Sequence, residues 1–207
     1  MKVVLLLILV LIFLTKPFSH FGETTCGGIT VDKIFLLTLK KSKERRENFI
    51  DSFKKTKSSL PLEIIYGTDT TKPENVEQFR SLVDPEKFDK MFKLNRGEIT
   101  RKHLSEFNPG ALGCYLSHME FYKRSFEQKL KYTMVFEDNV VLSESFVDEL
   151  NGVLKTIPND FDIIFFHKWK LVDDGYNSDC EKIKKVKKIM GAKCYLINVQ
   201  NMKKYYP

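Results

Sequence analysis

The sequence holds only four cysteines in 207 residues: Cys26, Cys114, Cys180 and Cys194. Four are too few to staple a domain of this size, so a hydrophobic core has to carry the fold. No two of them stand at the spacing of a metal site. In an oxidising compartment they could pair in three ways; Cys180 with Cys194 is the expected bridge. Cys114, on the apolar face of a helix, is the expected free and buried thiol. There is no Asn-x-Ser/Thr acceptor, no Lys-Asp-Glu-Leu type tail, no internal repeat and no low-complexity tract. The lack of repeats and low-complexity tracts argues against a solenoid and a disordered linker. Long apolar runs are missing too. Val3 to Leu14 is unbroken but only about 12 residues long, against the ~20 that a membrane-spanning helix needs. Preceded by Met1-Lys2 and closed by Thr15-Lys16-Pro17, this run has the pattern of a secretory signal peptide over residues 1–22. That leaves one domain over 23–207, with no transmembrane span expected after removal. It places the protein in the lumen of the endoplasmic reticulum or Golgi, or outside the cell.

What is present suits a packed domain. Hydrophobic residues make up 43% and charged residues 29%, a globular balance rather than a disordered one. The formal net charge of +7 falls by two when Lys2 and Lys16 leave with the leader. A basic surface can serve nucleic acid, an acidic membrane or anionic small molecules, or simply solubility. Entry into the secretory route demotes nucleic acid and keeps anionic small molecules such as nucleotide sugars.

Strand and helix patterns alternate along the chain. Ile34–Leu39 is a continuous apolar run of strand length, as in a parallel strand covered on both faces. Ser42 is placed to cap a helix over Glu44–Lys54, with Phe49, Ile50 and Phe53 on its inner face. Leu62–Tyr66 is a second strand, followed by a Gly67-Thr68-Asp69 turn. Residues 73–101 are charged and weakly periodic, predicting an excursion with one short helix near Glu74–Val83. Asn108 and Pro109 mark a strong helix start, and Leu112, Tyr115, Leu116, Met119, Tyr122 and Phe126 recur at helical spacing. Tyr132–Phe136 is a third strand, ending in Glu137-Asp138-Asn139. Ser143 precedes a helix to Leu154. Asp162–Phe166 and Lys193–Asn198 are strands, and residues 201–206 begin a helix. The whole predicts an α/β domain with a mostly parallel sheet and helices on both faces. Ligands of such sheets bind beyond the carboxyl ends of the strands. That rule gathers Thr38, Asp69 and Glu137-Asp138-Asn139 on one rim.

Each candidate has a functional and a plain reading. Acids directly after an apolar strand can hold a hard divalent cation against a diphosphate, or can be a loop and capping cluster. Lys40, Lys41, Lys43, Arg45 and Arg46 can hold phosphate at a helix start, or can be a solvated helix face. Ser117 and His118 can line a pocket, or His118 can be a satisfied polar group on a core helix. The Lys-dense stretch 182–188 reads as an exposed amphipathic element.

In order along the chain, these segments resemble glycosyltransferase family 25. The turn Thr38-Leu39-Lys40-Lys41-Ser42-Lys43-Glu44-Arg45-Arg46 is similar to the family's Asn-Leu-x-Arg-Ser-x-x-Arg-Arg turn. Gly67-Thr68-Asp69 matches its Asp-containing turn. Pro109-Gly110-Ala111-Leu112-Gly113-Cys114-Tyr115-Leu116-Ser117-His118 matches its Pro-Gly-x-x-Gly-Cys-x-x-Ser-His helix. Glu137-Asp138-Asn139 stands for Glu-Asp-Asp, Asp160 to Ile164 for Asp-x-Asp-Ile-Ile, and Gly191 to Ile197 for Gly-x-x-x-Tyr-x-Ile. The resemblance implies a GT-A type fold, a UDP-sugar donor (UDP-galactose first), a divalent cation such as Mn²⁺, a glycan or protein acceptor and inversion at the sugar carbon. It implies metal-holding roles for Glu137, Asp138 and Asn139. Thr38, Arg45, Arg46, Asp69, Ser117 and His118 fall to the nucleotide sugar. The base that an inverting displacement needs would be Asp162, Asp173 or Asp174. Asn139 stands where the family pattern has Asp. That motivates a second expectation, a catalytically silent relative serving as a binding or adhesion module.

Overall fold

The computed structural model describes residues 27–100, 107–166, 170–171, 176–177, 184–185 and 189–206. The expected signal segment over 1–22, together with Cys26, Cys180, Asp173 and Asp174, lies outside the described residues.

Five strands form the central sheet: β1 (Lys33–Thr38), β2 (Leu62–Tyr66), β3 (Tyr132–Glu137), β4 (Ile163–Phe165) and β9 (Cys194–Asn198). Between β4 and β9 lie two small antiparallel ribbons. One pairs β5 (Lys170–Leu171) with β8 (Ile189–Met190), the other β6 (Tyr176–Asn177) with β7 (Lys184–Lys185). The main sheet runs β2-β1-β3-β9-β4. β1 is parallel to both β2 and β3, whereas β9 is antiparallel to β3 and to β4. The sheet is therefore mixed, with a parallel core as expected and one reversed strand inserted beside β3.

Helices cover both faces. The strands alternate Ile34 and Leu36 toward one side with Phe35 and Leu37 toward the other, and all four are buried. The first side packs on α1 (Lys43–Lys55) through Phe49 and Phe53. It also packs on α5 (Phe146–Leu154) through Leu150 and Leu154. The second side packs on α4 (Pro109–Glu127) through Phe121, and on α6 (Val199–Met202) through Val199 and Met202. Each buried phenylalanine contributes on the order of 2–3 kcal/mol. The architecture agrees with the GT-A type expectation.

The charged excursion after β2 is more ordered than its pattern suggests. α2 (Pro73–Glu77) and a 3₁₀ turn (Arg80–Leu82) replace the single short helix expected over 74–83. A further helix, α3 (Pro85–Asn95), follows with Pro85 in its first turn. Asp84 caps it, its carboxylate accepting from the Lys87 amide at 3.2 Å. Val76, Val83, Phe88 and Met91 then form a small separate core against Leu112 of α4.

Candidate functional site at the carboxyl rim of the sheet

The carboxyl ends of β1 and β3 lie side by side, and the residues just past them are knitted together. The Asp138 amide donates to the Leu37 carbonyl at 3.1 Å. The Thr38 hydroxyl, buried at the end of β1, donates to Asp138 Oδ2 at 2.7 Å. The other oxygen of Asp138 faces Arg45 Nε of α1 at 3.4 Å. Asp138 is itself buried, so its charge is met by one hydroxyl and one guanidinium rather than by water. Half of the Arg45 side chain stays in solvent, and it also donates to the Ser42 hydroxyl at 2.8 Å. Ser42 does occupy the N-cap position of α1, but its hydroxyl caps no backbone amide.

The neighbouring cations are partly committed. Arg46 donates to the Leu39 and Lys40 carbonyls at 3.2 and 3.4 Å and lies 5.5 Å over the Tyr66 ring, bracing the turn after β1. Lys41 pairs with Asp69 at 2.9 Å, and Thr71 donates to the same carboxylate. The lysine and threonine together hold Asp69 down at about 2.

Glu137, one residue before Asp138, turns to the opposite face of the sheet and meets α4. Its Oε1 lies 3.6 Å from His118 Nε2 and accepts weakly from Cys114 Sγ at 3.7 Å. The approach of His118 outweighs desolvation and keeps Glu137 below the usual carboxylate range. Cys114 was expected to be buried. It is a free thiol at the accessible edge of α4, although desolvation and then Glu137 push it up to about 12. His118 Nδ1 shares a 2.6 Å hydrogen bond with the hydroxyl of Tyr195 on β9, which in turn lies 3.3 Å from Tyr122. His118 is buried, and its Nε2 has no hydrogen-bond partner. Ser117, beside it, bonds back to the Gly113 carbonyl at 2.8 Å. A Cβ at Gly67 would stand 2.3 Å from the Ser117 hydroxyl. The turn after β2 therefore runs hard against α4 because residue 67 lacks a side chain.

The rim thus brings together Thr38, Arg45, Arg46, Asp69, Ser117, His118, Glu137 and Asp138, with Asn139 exposed beside them. It does not bring Asp162. Register pairs Ile163 with Ile197, and Ile197 with Thr133, so Asp162 sits at the far, amino end of β3. There its carboxylate accepts from Lys204 at 3.0 Å and Tyr205 at 3.1 Å. That register puts Asp162, a candidate base, at the opposite end of the sheet from the rim residues. Cys194, expected to bridge to Cys180, is a free thiol buried within β9. A hollow lined by Met119, Tyr122, Met202, Tyr205 and Tyr206 holds about 10 Å³, too little for a nucleotide.

A family model described as glycosyltransferase family 25 (LPS biosynthesis protein) matches residues 31–206, nearly all of the described chain. The chain belongs to glycosyltransferase family 25. Among curated family relatives it is 26% identical over 148 residues to procollagen galactosyltransferase 2 of Mus musculus and to that of Homo sapiens. The alignment spans 68% of this chain but 21% of each relative, so the family 25 chain corresponds to about a fifth of their length.

Within this family 25 domain, the sequence reading missed two participants. Tyr195 appears there only as a motif letter, and nothing local says that its hydroxyl reaches α4. Cys114 is set aside as a core thiol. The legible signal is its spacing of four from His118, which puts both side chains on one helix face.

Proposed function

We propose that the domain transfers a hexose, galactose first, from a UDP-sugar to a glycan or hydroxylated protein side chain, with inversion. The observation that carries this reading is the joining of Thr38, Arg45 and Asp138 across β1, α1 and β3 at the strand ends, in a chain of this family. Such sheets receive ligands there. Arg45 is the cation best placed for a donor phosphate, since it is tied to Asp138 while half of its side chain stays in solvent. Arg46 and the Lys41–Asp69 pair shape the turn that this phosphate would meet. Ser117 and His118 close the α4 side.

The acids at the end of β3 suit a hard cation such as Mn²⁺ in donor chemistry. Among the described residues Glu137 makes no direct ion pair with Lys or Arg, Asn139 offers an exposed amide oxygen, and Asp138 brings a second carboxylate. Glu137, Asp138 and Asn139 would hold it. When bound, it would neutralise charge on the departing diphosphate. With Asp162 at the far end of the sheet, the base for the acceptor hydroxyl falls to Asp173 or Asp174. The leader pattern assigns the work to the secretory pathway.

Incubating the full chain with a panel of nucleotide sugars and Mn²⁺ tests the reading. Release of UDP, with transfer or with hydrolysis, is expected, and Asp138→Ala should abolish it while the melting curve stays cooperative. If no nucleotide sugar is turned over, the enzymatic reading fails. Tight UDP binding without turnover would instead establish the silent binding module.

A further inference from the structure

On the α4 side of the rim, three ligand atoms of different softness lie close together. Cys114 and His118 stand one helical turn apart, and Glu137 arrives from the end of β3. Cys114 Sγ, His118 Nε2 and a Glu137 oxygen all lie within 4.8 Å of one another. We propose that these three side chains form a binding site for a borderline divalent cation of the Zn²⁺ type, separate in chemistry from the oxygen-ligand site proposed above.

The geometry fits. Bonds of about 2.0–2.3 Å to N, O and S in a tetrahedral arrangement put ligand atoms roughly 3.3–3.7 Å apart. Glu137 Oε1 is already 3.6 Å from His118 Nε2 and 3.7 Å from Cys114 Sγ. The third edge, Cys114 Sγ to His118 Nε2, lies within 4.8 Å, and Cys114 is exposed and free to adjust. The histidine is also oriented for the task. Tyr195 holds His118 Nδ1 at 2.6 Å, and with the ring proton on Nδ1 the Nε2 lone pair is the one a cation takes; a proton on Nε2 facing Glu137 leaves to solvent on binding. That atom is buried and unpartnered, and it points at a carboxylate oxygen and a sulfur. Buried polar atoms are seldom left so, and a cation between the three groups satisfies all of them at once. Tyr195 plays the supporting part that a hydrogen-bonded neighbour usually plays for a metal-ligating histidine.

The donor set decides the ion. A thiolate with an imidazole and a carboxylate selects Zn²⁺ or Co²⁺ over Mn²⁺ or Mg²⁺. On binding, the sulfur–hydrogen bond of Cys114 gives way to a sulfur–metal bond and the proton leaves to solvent. The fourth position stays open toward the rim, where Cys114 is accessible. Glu137 belongs to both proposed sites.

Titration of the metal-stripped full chain with Co²⁺, read by absorption, tests the site without reference to turnover. One equivalent should produce a thiolate-to-cobalt charge-transfer band, and Zn²⁺ should displace it. Cys114→Ser should abolish the band, Cys194→Ser should leave it, and His118→Gln should weaken binding at least tenfold. Tyr195→Phe keeps the packing, keeps the band and should lose roughly ten- to a hundredfold in affinity. Far-UV circular dichroism confirms that each variant is folded. Should Cys114→Ser fail to fold, the Tyr195→Phe and His118→Gln affinities decide. No band in the wild-type chain, a band that survives Cys114→Ser, or affinities unmoved by both ring-side variants would overturn the proposal. Success here with no sugar transfer would leave the cation site standing and the transferase reading failed.

Discussion

Asn139 offers a neutral amide oxygen where the resembling pattern has a carboxylate, and a hard cation accepts either. The difference is one negative charge near a divalent ion. Two unit charges ~4 Å apart interact by about 4 kcal/mol at an effective dielectric of ~20, and desolvation cancels much of it. A remaining gain of about 1–2 kcal/mol means that Asn139→Asp should lower the Mn²⁺ concentration for half-maximal UDP release roughly five- to thirtyfold. Identical Mn²⁺ titrations for the two forms would remove Asn139 from the ligand set. Thr38 makes a different demand. Its hydroxyl is a 2.7 Å donor to buried Asp138, so Thr38→Val leaves one carboxylate oxygen without that partner. The cost should be about 1–3 kcal/mol, read as a lower midpoint in urea with an unchanged slope. A midpoint equal to wild type would mean that water replaces the hydroxyl. Both residues were legible as rim residues, because strand ends are where such sheets bind. Their partners were not, since the Thr38–Asp138 bond joins positions a hundred residues apart.

At the scale of elements, α4 is the part that most needs its glycines. Gly113 sits buried on the helix, and a Cβ there would stand 2.7 Å from the Thr70 hydroxyl and 3.1 Å from the Thr68 carbonyl. Thr70 is buried and has little room to retreat. An alanine in a helix interior gains about 1 kcal/mol over glycine, whereas overpacking costs about 1–3 kcal/mol. Gly113→Ala should therefore come out destabilising by about 1 kcal/mol, or ~2–4 °C in melting temperature. A rise in melting temperature would show that the turn over 67–70 yields freely. The start of α4 was plain from Asn108 and Pro109, and the Asn108 side chain does accept from the Ala111 amide at 3.0 Å. Asp84-Pro85 carries the same signature, but the surrounding charge hid the helix. Its buried face is only Phe88 and Met91, because it packs on α4, Val76 and Val83 in a small core of its own rather than on the sheet. Asp84→Ala should test that cap, with an expected loss of about 1 kcal/mol in thermal or urea unfolding.

For the molecule as a whole, alternation of strands and helices made the α/β class and both covered faces readable. The reversal of β9 was not, since apolar runs carry no direction and the segment before it has no dominant periodicity. Nor was the polar cluster that ties the amino ends of the sheet to α4. Glu63 of β2 accepts from Lys33 of β1 at 3.0 Å, and from Arg124 and Gln128 of α4's end at 2.9 and 3.0 Å. Desolvation alone would raise Glu63, but Arg124, Gln128 and Lys33 together outweigh it and bring the group from 4.5 to about 2. The sign follows from linkage. The folded protein binds this proton less readily than the unfolded chain does. The stabilisation is therefore complete above the unfolded value and is lost as pH falls toward the folded one. Because the cluster is partly open to solvent, its worth at neutral pH is screened to ~1 kcal/mol. Glu63→Gln should then melt ~2–4 °C below wild type near neutrality. That gap should narrow steadily between pH ~5 and pH ~2, where wild-type Glu63 itself takes up a proton. Melting both proteins across that range decides the matter. A gap constant with pH would mean that Glu63 acts through packing and hydrogen-bond shape, and that its charge does not help hold α4 to the sheet.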